Sequence, residues 1–380
     1  MSASNNHSNQ LISNRRKFLQ TAVAGLAAPY VLQSNGLIIG KAQAATLPAV
    51  AEKDAVIAFG HSGPISDGGW TWKHHLGLEA LKKTYPAAKY IEVESVPTSA
   101  DATRTFRQFV SQRANLVFVS SYYGEFLSSV SDAAPKVAFF ENYGRHLTNN
   151  MSGYWVEHWV PSYVIGVTAG LLTKSNKLGY VGSMPIPAIY ESVNAFHLGA
   201  RSVNPKVQTQ VININSWFDP QAAAQAGSAL IQGGADYLFG FMDEAAYLNV
   251  AQKAGVWASM WNADMRTSGP DSYVSAVIVD WREFYLDQMR KLLTGEWTGS
   301  QDFLLKPGVG VDRDAWGAKV PSEVSKQADD VRAKLLNGTL NPWKGEMLDA
   351  KGKVRIKAGE SLQPFGWNWA LEGVSGFPDA

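Results

Sequence analysis

The sequence has no cysteine, few charged residues and almost no net charge, and each shortage excludes a class of function. Without cysteine the chain cannot form a disulfide, a zinc–cysteine site, a cysteine-ligated iron–sulfur cluster or a lipoprotein anchor, and it has no thiolate nucleophile. The 34 Lys and Arg residues against 33 Asp and Glu residues leave a formal net charge of +1, which gives no basic field for binding nucleic acid. A chain with 46% hydrophobic and 18% charged residues is not typical of a disordered protein.

The first 44 residues have the pattern of an export signal. They contain four basic residues and no acidic one, and the pair Arg15-Arg16 precedes an alanine-rich apolar stretch over 21–31 and a small-residue motif that ends at Ala44. The paired arginines predict the twin-arginine route, with a disordered basic tail as the alternative. No later run reaches 18 uninterrupted apolar residues, so we expect no membrane insertion. We predict a periplasmic protein that is mildly acidic after cleavage and is not a lipoprotein.

The remaining chain alternates short β-rich runs with longer helical stretches. The apolar patterns predict strands over 54–62, 89–96, 115–121, 136–142, 151–157, 178–183, 208–215, 237–241, 256–261 and 273–280. They predict helices over 103–113, 190–203, 282–293 and 321–336, with others around Leu78, through Leu172, from Pro220 and up to Gly255. Such alternation builds parallel sheets covered by helices, and its two successive runs predict an α/β protein with two Rossmann-like lobes. Ligands of such sheets bind at the carboxyl ends of the strands.

Aromatic and polar side chains follow the strands of the first predicted lobe. The loop after the first strand contains Asp67 and Trp70, Tyr122 follows the third strand, and Asn142 ends the fourth. Asp67 is also a candidate helix cap, and Trp70 is also a candidate core residue. These readings stay open beside ligand binding.

The second predicted lobe repeats this pattern. Its candidates are Trp217, Asp243, Tyr247, Trp261 and Asp264, whereas the spacing of Asp219 before Pro220 favours a helix cap. Aromatic rings stack on flat solutes, while carboxylates and amides bind their N–H and O–H groups. The two sets together predict a site for a flat, uncharged, hydrogen-bonding solute.

Catalytic motifs are missing from the sequence. The histidines have no metal-binding spacing, and neither a G-x-S-x-G elbow nor a phosphate-binding loop occurs. Asp67 with Asp243 or Asp264 could act as paired carboxylates of a nucleoside or glycoside hydrolase, although no spacing positions them. We therefore predict a binding protein with no catalytic residue, metal or cofactor, and keep the hydrolase as the alternative.

Several segments together resemble the basic membrane protein family of type I periplasmic solute-binding proteins, which includes purine nucleoside receptors of ABC importers. The resemblance covers about 53–348, most of the predicted mature chain. The matching segments are 67–71 (DGGWT), 149–154 (NNMSGY), 179–185 (GYVGSMP), 199–205 (GARSVNP), 216–220 (SWFDP), Asp264-Met265, 279–281 (VDW) and 337–345.

The resemblance implies two lobes joined by three crossovers that close on the ligand. It implies an N-terminal lobe over 45–158 plus about 281–348, a C-terminal lobe over 159–280 and a C-terminal extension over 349–380. It also implies that a purine nucleobase or nucleoside stacks between rings of the two lobes. Trp70 and Tyr122 would be the first-lobe rings, Trp217 and Tyr247 the second-lobe rings, and Asp264 the polar anchor.

Two departures from the family pattern affect the expected ligand. Met242-Asp243-Glu244 stands where nucleoside receptors carry a glycine-rich turn, and Trp70 stands where they carry phenylalanine. A free nucleobase or a different heterocycle is therefore also an expected ligand. The expected partners are an ABC permease and its ATPase, with the binding protein a monomer, and a sensory receptor is the alternative partner.

Overall fold

The computed structural model describes residues 47–377, which lie in one compact unit, Ala44–Ala380. The predicted export signal lies outside the described residues and stays a prediction. Within 47–377, no helix has the length and apolar character needed to cross a membrane.

The first sheet has six parallel strands in the order β11-β5-β4-β3-β1-β2. Four central strands are buried along their whole length, as expected for a sheet covered on both faces. The strands are β1 (Val56–Gly60), β2 (Lys89–Val93), β3 (Leu116–Val119), β4 (Ala138–Asn142), β5 (Met151–Val156) and β11 (Asp302–Leu305).

Four helices cover this sheet, two on each face. Side chains of β1 alternate between the faces, so that Phe59 packs with one pair of helices and Ala58 with the other. The pair on one face is α1 (Trp70–Thr84) and α8 (Arg282–Thr294), and the pair on the other is α2 (Ala102–Ser111) and α3 (Glu125–Ala133).

The second sheet has seven strands in the order β12-β10-β9-β8-β6-β7-β15, and β12 is its antiparallel edge. The strands are β6 (Lys177–Gly182), β7 (Gln208–Asn213), β8 (Tyr237–Phe241), β9 (Trp257–Asn262), β10 (Tyr273–Val279), β12 (Val311–Arg313) and β15 (Val374–Ser375). The covering helices are α4 (Trp159–Leu172), α5 (Pro187–Val203), α6 (Pro220–Gln232), α7 (Ala246–Ala254) and α9 (Ser322–Leu336). A two-stranded ribbon, β13 (Met347–Leu348) and β14 (Val354–Ile356), follows α9.

Helices α4 and α5 approach each other closely through two glycines. A Cβ atom at Gly166 would lie 2.0 Å from the carbonyl oxygen of Phe196, and one at Gly199 would lie 2.0 Å from that of Tyr163. Any larger residue at either position would therefore separate the two helices.

The chain passes between the sheets three times, after β5, after β10 and between β11 and β12. Two parallel α/β sheets with three connections confirm the predicted fold class. The lobe division differs from the expected one at its C-terminal end. The strand β12 pairs with β10, and α9 packs on α4, so 311–336 belongs with the second sheet and not with the first. Extended residues 374–375 join that same sheet. Such short edge strands carry no periodicity from which their partner could be predicted.

Candidate ligand-binding site

A cavity of about 730 Å³ lies between the carboxyl ends of the two sheets. Loops after β1, β2, β3 and β4 supply one wall, and loops after β6, β7 and β8 supply the other. This is the place where parallel α/β sheets bind ligands, and the volume is in the range of small-molecule sites.

Seven of the nine candidate residues lie in the wall of this cavity. They are Asp67, Trp70, Tyr122, Asn142, Trp217, Asp243 and Trp261. Tyr247 and Asp264 do not line it. The structure therefore brings together the residues at most of the predicted strand ends, from both lobes.

Tyr247 lies in the core of the second lobe. Its ring is fully buried against Gly240, and its hydroxyl donates a hydrogen bond of 2.8 Å to the backbone oxygen of Ser259. Asp264 lies outside the cavity and accepts two hydrogen bonds from the Nε of Arg266, at 2.9 and 2.8 Å. The structure thus separates both residues from the roles expected for them, because each is already satisfied by a neighbour.

Asp67 organises the start of α1 as well as the cavity wall. Its Oδ1 accepts the N–H groups of Gly69 and Trp72 at 2.8 and 3.0 Å, and its Oδ2 accepts that of Thr71 at 2.9 Å. The N–H groups of a first helical turn have no partner within the helix, so a carboxylate there stabilises the helix. Asp67 therefore stabilises the start of α1, as the helix-cap interpretation expected, and also lines the cavity.

Trp70 is held in position by the first lobe. Its Nε1–H donates a 2.7 Å hydrogen bond to the backbone oxygen of Ser120, and its ring packs 4.9 Å from His74, 5.5 Å from Trp281 and 5.7 Å from Trp155, measured between centroids. The ring is half-buried and also lines the cavity. A ring fixed in this way is a preorganised stacking surface.

Asp243 joins the two lobes. Its Oδ1 accepts the backbone N–H of Trp70 at 3.1 Å and the Nδ2–H of Asn262 at 3.0 Å. A Cβ atom at Gly69 would lie 2.7 Å from this Oδ1, so only glycine permits the approach. Burial, and next the nearby charge of Asp67, raise the pKa of Asp243 to about 7. No hydrogen bond to the Oδ2 of Asp243 occurs within the described chain, which leaves that oxygen for a ligand.

Aromatic rings dominate the second-lobe wall. Phe241 and Trp261 lie with ring centroids 3.5 Å apart, and His158 packs edge-on against both at 5.5 and 5.2 Å. Burial lowers the pKa of His158 to about 3, so this imidazole is neutral. Trp217 packs 6.2 Å from Phe241 and is more than a third exposed.

Other residues of the cavity wall were not among the predicted candidates, and they include the aromatic residues Tyr143, Trp155 and Phe241. Tyr143 directly follows the candidate Asn142 and has a φ of +60°, which is rare for a tyrosine. Trp155 and Phe241 lie inside strands β5 and β8. The rule that directed attention to loops therefore overlooked them, although each is within two residues of its strand end.

Metal and cofactor sites are not indicated by this geometry. Within 47–377, no cluster of three or more His, Asp or Glu side chains could hold a metal ion. The wall combines flat apolar rings with a small number of oxygen acceptors, a combination typical of small-molecule binding sites.

Comparison with known proteins places this arrangement among transport proteins. The model of the family described as ABC transporter substrate-binding protein PnrA-like matches residues 55–342. A purine-binding protein from Brucella abortus is 33% identical over 329 residues, which is 85% of this chain and 94% of that protein. A Haloferax volcanii protein, TsgA13, whose name assigns it to glucose binding in an ABC transporter, is 33% identical over 289 residues, or 76% of this chain and 73% of that one.

Solved structures share the fold at lower identity. A solute-binding protein of an ABC transporter system from Aeropyrum pernix has a TM-score of 0.65 at 13% identity, covering 76% of this chain and 92% of that one. A solute-binding protein from Conexibacter woesei has a TM-score of 0.61 at 20% identity, covering 76% and 98%. Both agree with two α/β lobes around a central cleft.

Proposed function

The chain belongs to the PnrA-like family of ABC transporter substrate-binding proteins, and from that premise we propose that it binds a purine-type nucleobase or nucleoside between its lobes for delivery to an ABC permease. The family consists of solute-binding proteins and not of enzymes. We further propose that the first 44 residues direct the chain to the periplasm by the twin-arginine route. Because the family does not consist of enzymes, we do not propose the hydrolase alternative.

The observation that carries the ligand proposal is the pairing of flat rings with a free carboxylate oxygen in one cavity. Trp70 of the first lobe and Trp217, Phe241 and Trp261 of the second supply the rings. Each stacking contact contributes roughly 0.5–1.5 kcal/mol beyond the burial of area. A planar heterocycle gains from rings on both of its faces, whereas an aliphatic solute gains from burial alone.

Asp243 is the proposed polar anchor, in place of Asp264. Its Oδ1 is engaged by Trp70 and Asn262, and its Oδ2 is the oxygen left to accept an N–H group of the ligand. Because Asp243 also contacts the first lobe, ligand binding and lobe closure would act on the same side chain. Binding at this position needs most of the ligand buried, since small ligands gain at most about 1.5 kcal/mol per heavy atom.

A monosaccharide is the second candidate ligand, because the relative from Haloferax volcanii carries a glucose-binding name at the same identity as the purine-binding relative. Sugars also stack on tryptophan but require a ring of hydrogen-bonding groups. The wall has Asp67, Asn142, Asp243, the serines after β1 and β3 and the hydroxyl groups of Thr71, Thr98, Tyr122 and Tyr143, but its two lobes meet the cavity mainly with apolar and aromatic side chains. This balance favours the heterocycle.

Isothermal titration calorimetry of the purified mature chain tests the proposal. The panel is adenine, guanine, hypoxanthine, adenosine, uracil and D-glucose, after unfolding and refolding to remove retained solute. We expect at least one purine to bind with a micromolar or lower Kd, and D-glucose to give no heat. Binding of D-glucose without any purine would overturn the ligand assignment.

A matched pair of variants tests the anchor. Asp243→Ala should weaken purine binding by at least tenfold, because it removes the free oxygen and the contact between the lobes. Asp264→Ala, which removes a carboxylate outside the cavity, should change the Kd by less than twofold. The reverse order would restore Asp264 as the anchor.

A further inference from the structure

The C-terminal segment over 343–377 follows the part of the chain that the family model matches, which ends at residue 342. The second lobe holds this segment through helix α5. Asn194 donates from Nδ2 to the backbone oxygen of Trp369 at 2.9 Å and accepts the N–H of Leu371 at 3.0 Å. His197 contacts the backbone oxygen of Glu372 through Nε2 at 3.1 Å. The segment is therefore bound to the second lobe.

Phe365 carries this segment across to the first lobe. Its ring lies 5.0 Å from the ring of Tyr143, with 30° between the planes, and the guanidinium of Arg145 lies 3.9 Å from its centroid. Tyr143 and Arg145 follow strand β4 of the first sheet. A residue of the C-terminal segment thus packs on the loop that forms part of the cavity wall.

The backbone of Tyr143 is tied to β5, because its N–H donates a 2.9 Å hydrogen bond to the backbone oxygen of Tyr154, whereas its side chain is held by packing. Its backbone has a φ of +60°, which costs a non-glycine residue energy and persists only where neighbouring contacts enforce it. Its hydroxyl is buried and has no hydrogen-bond partner in the described chain. The ring is instead packed between Trp155, whose ring meets it edge-on at 5.0 Å, and Phe365.

We infer that the C-terminal segment completes the ligand site from outside, with Phe365 as a positioning residue that fixes the ring of Tyr143 in the cavity wall. Phe365 does not line the cavity, so its effect passes through Tyr143. The inference rests on the proposed function for the identity of the ligand, and on the packing alone for the position of the ring. It also gives the C-terminal segment a role in coupling the two lobes.

Affinity measurements test the effect on binding, with adenine as the probe. An aromatic pair and a cation–π contact of this kind correspond to roughly a three- to tenfold change in affinity. Phe365→Ala should raise the Kd for adenine by that factor, and Phe365→Tyr, which keeps the ring, should restore it. Leu362→Ala removes an exposed side chain from the same segment and should leave the Kd unchanged. Equal Kd values for all of these variants would overturn the inference.

A double substitution tests whether Phe365 acts through Tyr143. Tyr143→Ala alone should weaken binding, and adding Phe365→Ala to it should cause less than a twofold further change. Independent, multiplying effects would mean that Phe365 acts by another path, and the positioning role would be wrong.

A measurement without ligand separates this inference from the proposed function. The chain has 14 tyrosines, and fluorotyrosine labelling followed by ¹⁹F NMR resolves Tyr143 as the resonance that disappears in Tyr143→Phe. In the ligand-free protein we expect that resonance to shift or broaden in Phe365→Ala and to keep its position in Leu362→Ala.

The outcomes of the two measurements are distinguishable. If no purine binds but the Tyr143 resonance moves in Phe365→Ala, the proposed ligand is wrong and the positioning of Tyr143 stands. If a purine binds and the resonance is unchanged in Phe365→Ala, the proposed function stands and the positioning role is wrong.

Discussion

Replacing Gly69 with alanine should prevent the two lobes from closing fully while leaving each lobe folded. Gly69 immediately precedes helix α1 of the first lobe and faces Asp243 of the second. A Cβ atom at this position would lie 2.8 Å from the Cβ and 3.0 Å from the Cα of Asp243. One of these atoms is backbone, so a change of side-chain rotamer cannot relieve the overlap.

The size of the effect follows from these distances. Carbon atoms in contact ordinarily lie about 3.5–4.0 Å apart, so the lobes must separate by roughly 0.5–1 Å at this point. The hydrogen bond from the N–H of Trp70 to Asp243 Oδ1, now 3.1 Å, would then exceed hydrogen-bonding distance. At pH 8, above the pKa of about 7 of Asp243, this hydrogen bond is made to a charged group, and such a bond contributes about 1.5–3 kcal/mol, which corresponds to a ten- to hundredfold loss of ligand affinity.

Calorimetry and thermal unfolding together check this expectation. Gly69→Ala should weaken purine binding by ten- to hundredfold, while the ligand-free melting temperature changes little, because the lobes can relieve the overlap by opening. Gly68→Asn is the matched control, since Gly68 has a φ of +67° and no atom within 4 Å of its Cβ position. Wild-type affinity in Gly69→Ala, or an equal loss in Gly68→Asn, would refute the reasoning.

Three further predictions concern Asp243, Tyr247 and Asp264. The pKa of Asp243 is raised to about 7 in the folded state, so the contribution of this residue to stability is lost as pH rises. In urea titrations between pH 5 and 8, the unfolding free energy of the wild type should fall by roughly 3 kcal/mol more than that of Asp243→Asn. The same pH dependence in both proteins would contradict this. Tyr247→Ala should destabilise the chain by about 3–5 kcal/mol in the same titrations, because it empties a buried site, and Tyr247→Phe should cost far less. Asp264→Ala should lower the melting temperature by at most a few degrees, because exposed ion pairs contribute little.

Much of the fold could be predicted because its signals are local. The strand β8 has the predicted bounds, and Asp219 caps α6 by accepting the N–H of Ala222 at 2.9 Å, as its position before Pro220 indicated. Helix α3 was missed because its buried face is short, with Leu127 and Val130 as its fully buried apolar residues. The C-terminal extension over 349–380 was predicted without any secondary structure, because its position depends on contacts with α5 far away in the sequence.

Residues of the site could be predicted where the end of a strand determines their position, and could not where side-chain packing determines it. Asp67 and Asp243 follow strands and lie in the cavity wall, as expected. Tyr247 could have been placed in the core from the sequence, since it shares one helical face with Ala251, four residues on. Asp264 could not have been excluded, because nothing in the pattern shows that its carboxylate turns to Arg266. The left-handed backbone of Tyr143 likewise has no local sequence signal.

Gly166 of α4 and Gly199 of α5 bring the two helices so close together that we expect them to move as one rigid unit. Helix α4 begins one residue after His158, in the first crossover between the sheets, and it touches α5 backbone to backbone at Gly166 and Gly199. We therefore expect a rotation of the chain at that crossover to carry α5 along with α4, and the C-terminal segment that α5 holds along with α5. Alanine at either glycine would push the two helices apart, and we expect it to change how far the lobes close.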